Sequence, residues 1–83
     1  MTFLAHINIM PHAELLDPQG KTVVKNLPNI NVQGVEDVRI GKHVTMRLEA
    51  ENADAAHDQV ELACKKLLAN VIMETYDFVI EEV

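Results

Sequence analysis

Phe3, Ala5, Ile7 and Ile9 alternate with Leu4, His6, Asn8 and Met10, the period of two that sends neighbouring side chains to opposite faces of a strand. Pro11 ends the run, since proline has no N–H to give a ladder. Asp17-Pro18 then reads as a helix start, an N-cap carboxylate followed by proline in the first turn. Val23, Val24 and Leu27 supply one apolar stripe to that short helix. Gly20 inside it is worth about 1 kcal/mol less than alanine, so the helix needs tertiary support. Pro28-Asn29 stops it.

Val35, Val38 and Ile40 predict a second strand, and Val44, Met46, Leu48 and Ala50 a third. A two-residue turn at Gly41-Lys42 mixes the faces of the two. A three-residue loop, Gly41 to His43, sets Ile40 opposite Val44 and Val38 opposite Met46, so the longer loop or a bulge is preferred. Asn52 caps a longer helix whose apolar face is Ala53, Ala56, His57, Val60, Ala63, Cys64, Leu67 and Leu68. Asn70 is placed to end it in left-handed geometry. Tyr76, Phe78 and Ile80 then alternate with Asp77, Val79 and Glu81. The order is βαββαβ over a single domain, residues 1–83. The predicted fold is a two-layer α+β, ferredoxin-like domain, with two helices on one face of a four-stranded, mainly antiparallel sheet. The open face carries Leu4, Met10 and Val79 among His6, Asn8, Thr45, Arg47 and Glu81, a mixed surface of the kind that meets a partner.

Charge narrows the partners. Thirteen acids against seven Lys and Arg give a net charge of −6, which lacks the basic footprint of a nucleic-acid binder and disfavours an anionic membrane surface. No apolar stretch nears the roughly 20 residues that span a bilayer. A single cysteine, Cys64, allows no intrachain disulfide and fits a reducing compartment, so a soluble cytoplasmic protein is expected. At 83 residues the core is small, and oligomerisation is one remedy.

Candidate chemistry is thin. His6, His12, His43 and His57 show no metal-ligand spacing, so no metal site is expected. Cys64 lies on an apolar helix face, where cysteine behaves as a small hydrophobe. The chain has no serine and no Gly-rich nucleotide motif. Val32-Gln33-Gly34-Val35 is similar to the phosphate loop of acylphosphatases. It follows the first helix instead of the first strand, however, and Glu36 and Asp37 would repel a phosphate. Neither catalytic residues nor a cofactor are expected.

Three stretches in order carry a resemblance. Leu16 to Gly20 (Leu-Asp-Pro-Gln-Gly), Val38 to Lys42 (Val-Arg-Ile-Gly-Lys), and Cys64 to Asn70 followed by Glu74 and Tyr76 resemble the PurS family. That family is the small subunit of phosphoribosylformylglycinamidine (FGAM) synthase in purine biosynthesis. Two departures are Val71, where many members have proline, and Pro11-His12, where a lysine is common. The resemblance implies a non-catalytic subunit of an ATP-dependent glutamine amidotransferase ligase. Its implied partners are the large synthase subunit, the glutaminase subunit and further copies of itself, as homodimer or homotetramer. It also implies a role in ammonia transfer between the two active sites. Asp17, Pro18, Gln19, Gly20, Arg39, Gly41, Lys42 and Asn70 are the signature positions, each a fold determinant or a partner contact. The alternative is a ferredoxin-like domain that senses a small molecule.

Overall fold

The chain folds around one three-stranded sheet in a computed structural model that describes residues 1–13, 15 and 17–83. Leu16, first in the Leu-Asp-Pro-Gln-Gly string, lies outside the described residues. The elements are β1 (Thr2–Pro11), α1 (Pro18–Asn26), a 3₁₀ turn (Leu27–Ile30), β2 (Lys42–Glu49), α2 (Ala53–Ala63), a π-helical turn (Cys64–Leu68) and β3 (Glu74–Glu82). The strand order is β2-β1-β3, and both pairings are antiparallel.

Register builds the core. Ile7 stands between Val44 and Phe78, Ala5 between Met46 and Ile80, and Phe3 has Leu48 on one side. On this face Phe3, Ala5, Ile7 and Ile9 are buried, and Val60 of α2 and Cys64 of the π turn join Ala5, Ile7 and Ile9 in one core cluster. Each large apolar side chain so covered contributes about 1.5–3 kcal/mol. Asn52 caps α2 as expected, its side chain accepting from the Ala55 N–H at 2.8 Å. Proline ends β1 where the sequence placed the stop.

Three expectations need correcting. The sheet has three strands, not four: residues 32–41 run without a ladder partner among the described residues, and the hairpin at Gly41 does not form. The helices do not cover the sheet together either: α2 packs on β1 and β3, while α1 comes near the sheet at its first turn, beside the starts of β2 and β3. The molecule is correspondingly long, 51 × 27 × 14 Å with a radius of gyration of 16.5 Å. A compact chain of this length has a radius of about 12 Å.

The third correction is at the end of α2. The π turn adds a residue to the last turn and shifts the apolar face, so Leu68 stays half-buried while Leu67 is 83% exposed. Asn70 is not left-handed; among the described residues the non-glycine residue with positive φ is Asn31, at 66°.

Candidate functional site

The signature residues gather where α1 and the extended segment leave the sheet. Asp17 is the N-cap of α1, with backbone angles of −117° and 91°. Its carboxylate accepts from the Gly20 N–H at 3.1 Å and from the Ile40 N–H at 2.6 Å, and the residue is 7% exposed. One side chain therefore caps the helix and pins the extended segment that leads into β2. The Ile40 hydrogen bond, then that from Gly20, hold its pKa below the ordinary 3.8, with Arg39 adding a smaller attraction.

Gly20 is needed for closeness. A Cβ there would sit 1.9 Å from the Val38 carbonyl oxygen, nearer than atoms can approach. The close neighbour of this first turn is the chain's own extended segment at Val38. Gly41 plays the same part on the other side, where a Cβ would stand 2.3 Å from the Ile9 carbonyl oxygen. Arg39 spends its guanidinium on two backbone carbonyls, Leu15 at 3.0 Å and His12 at 2.7 Å. Asp17 and Arg39 are thus not the exposed charges that a partner-contact reading assumes. Gln19 and Lys42 are exposed, and so is Pro18 at the first position of α1.

Two clefts border this knot. One, of about 280 Å³, is lined by Gln19, Ile40, Gly41, Lys42 and Glu74. The other, of about 220 Å³, is lined by Pro11, Leu15, Asn70, Met73 and Glu74. Glu74 belongs to both, and its carboxylate accepts the Asn70 N–H at 2.8 Å. The Asn70 side chain accepts in turn from Ile72 N–H at 3.1 Å. Residues 17–20, 39–42 and 70–74 therefore meet in space. Glu74 was absent from the sequence-derived site; its spacing of four from Asn70 was the available signal. Val71, Ile72 and Met73 beside it are exposed, with Ile72 at 85%.

The open sheet face is mixed, with Val79 66% exposed and Met10 38% exposed among polar side chains. Asn8 joins the strands, donating to Asp77 at 3.2 Å and meeting His43 Nδ1 at 2.8 Å. His6 Nε2 lies 3.6 Å from Glu81. Among the described residues no group of three His, Cys, Asp or Glu is placed to hold a metal ion. Among the described residues no helix is long and apolar enough to cross a membrane. Cys64 is buried, and desolvation, then the charge of Glu61, push its thiol pKa up from 9.0. A protonated, covered thiol is no nucleophile.

The chain is a small α+β domain with one covered sheet face, whose signature residues Asp17, Gly20 and Arg39 join the start of α1 to the extended segment before β2. The comparisons name its family. The model of the family described as PurS, phosphoribosylformylglycinamidine (FGAM) synthase, matches residues 4–82. The chain is 41% identical over 69 residues to the phosphoribosylformylglycinamidine synthase subunit PurS of Bacillus subtilis, covering 83% of this chain and 81% of that one. It is 35% identical to the Synechocystis subunit over 77 residues, 93% of this chain and 77% of the other. Among solved structures, a chain of PurLQS from Thermotoga maritima superposes with a TM-score of 0.89 at 30% identity, covering 98% of this chain and 99% of that one. Bacillus subtilis PurS gives 0.85 at 34% identity, covering 96% and 99%. The chain belongs to the PurS family.

Proposed function

We propose that this chain is the small, non-catalytic subunit of an FGAM synthase in purine biosynthesis. It bridges the ATP-dependent synthase subunit and the glutaminase subunit, so that ammonia freed from glutamine reaches formylglycinamide ribonucleotide. The observation that carries the reading is the match along nearly the whole chain to a subunit seen in PurLQS. The molecule's own chemistry is compatible: its one thiol is buried, and its signature charges Asp17 and Arg39 hold backbone groups. It works in the cytoplasm as a homodimer or homotetramer. Gln19, Lys42 and Asn70, which stay exposed around the clefts, are the signature positions left to meet the larger subunits.

The test is reconstitution with the cognate synthase and glutaminase subunits. FGAM formation is measured with glutamine and with free ammonium, each with and without this protein. Glutamine-driven turnover should require it, and ammonium-driven turnover should largely not. No effect on either rate defeats the reading. The sensing alternative would instead show a thermal shift of the isolated protein with amino acids or nucleotides.

A further inference from the structure

We propose that the surface running across the two clefts, with Glu74 at its centre, docks a segment of the synthase subunit. The segment sets an apolar side chain into the cleft of Pro11, Leu15 and Met73, and brings a basic group to Glu74 and an acidic group to Lys42. This rests on the reading above and names the partner and the chemistry of one contact, which can fail while that reading stands.

The first observation is a pair of opposite charges that one cleft holds apart. Lys42 and Glu74 line the same space of about 280 Å³, together with Gln19. Among the described residues neither charge is in an ion pair. Glu74 accepts the Asn70 N–H on one carboxylate oxygen, at 2.8 Å, which leaves the second oxygen for a partner. A segment carrying both signs satisfies both charges, and such charge-assisted hydrogen bonds strengthen once water is displaced from the cleft.

The second observation is apolar ground beside those charges. Val71, Ile72 and Met73 are exposed. Met73 joins Pro11 and Leu15 in lining the other cleft, of about 220 Å³, which shares Glu74 with the first. An apolar centre flanked by charged and amide groups is the layout of a protein–protein contact. Both clefts fall below the roughly 300–1,000 Å³ of small-molecule pockets, so they suit inserted side chains better than a metabolite.

The third observation is that this ground is held in place. The Asn70 carbonyl accepts from the Met73 N–H at 3.0 Å and from the Glu74 N–H at 2.7 Å, and the Met73 carbonyl accepts from the His12 N–H at 2.9 Å. The Asn70 side chain fixes Ile72 by its N–H at 3.1 Å. A loop already fastened loses little freedom when a partner binds it.

The occupant follows from what the fold leaves over. Asp17, Gly20, Arg39 and Gly41 are taken up by the chain's own packing, whereas Gln19, Lys42 and Glu74 border the cleft. The match along nearly the whole chain to a subunit seen in PurLQS supplies a partner other than a second copy. Of the two larger subunits, the synthase is where the ammonia must arrive, so the contact keyed by two opposite charges, which fixes register, belongs to it.

The test uses the three subunits together and measures the concentration of this chain that gives half-maximal glutamine-driven turnover. Glu74→Gln keeps an acceptor for the Asn70 N–H and removes the charge. It should raise that concentration about tenfold while the Tm and the turnover at saturation stay unchanged. Lys42→Gln should do the same, and each should flatten the rise of the half-maximal concentration with salt. Ile72→Asp should raise it tenfold or more. A photo-crosslinker, p-benzoylphenylalanine in place of Ile72, should couple this chain to the synthase subunit. Variants that match the wild type in half-maximal concentration and salt dependence overturn the contact, and so does a crosslink only to the glutaminase subunit or only to a second copy. A wild type without effect on turnover defeats the reading above and this contact with it, whereas unchanged variants of an active wild type defeat the contact alone.

Discussion

Asp17 shows how one residue can look like a contact and be a fastener. Its carboxylate is buried and divided between the Gly20 and Ile40 N–H groups, which stabilise the charged form. A depressed folded pKa adds stability that is complete above the unfolded value, near 3.8, and is lost as pH falls towards the folded value. Asp17→Ala should therefore lower the Tm at pH 7 by several degrees, and the gap to wild type should narrow as pH falls from 5 to 2. Thermal melts across that range measure it, and a gap constant with pH would mean that the charge is not what holds Ile40. Cys64 makes the opposite case: burial keeps its thiol neutral, so a thiol reagent should label it only in denaturant. The Asp-Pro pair announces a helix cap in the sequence. That the same carboxylate reaches residue 40 was hidden, because no spacing rule links positions 23 apart.

At the level of elements, the three strands that pair were legible because each shows clean alternation, with one side turned to the core. The fourth, over Val35, Val38 and Ile40, carries similar residues yet finds no ladder partner among the described residues. Alternation reports that a segment is extended and half apolar; it does not report whose sheet it joins. The end of α2 was misread for another reason. A heptad-like apolar count assumes 3.6 residues per turn, and the π turn from Cys64 to Leu68 breaks that assumption at its last step. Leu67→Lys should therefore leave stability within about 0.5 kcal/mol of wild type, as at other open surface sites. Should denaturant melts show a larger loss, Leu67 is covered in the assembled protein. Lys42, at the start of β2 and the edge of a cleft, tests the neighbouring surface. Lys42→Glu should weaken binding to the synthase subunits more than it lowers the Tm, and unchanged binding removes Lys42 from the contact.

For the whole molecule the core is the limiting quantity. Ile7 is fully buried between Val44 and Phe78, and Ile7→Ala should remove about 2–5 kcal/mol, a large share of what a small domain has. In the homodimer proposed above that loss also falls on the dimer, because folding and association become one equilibrium. Mass action then makes the Tm a function of concentration: each tenfold rise in chain concentration is worth about 1.4 kcal/mol per dimer. Wild-type melts should climb by a few degrees per decade of concentration, and differential scanning fluorimetry over two decades reads the slope. A flat slope would mean that the isolated chain is a monomer whose core must be stable by itself.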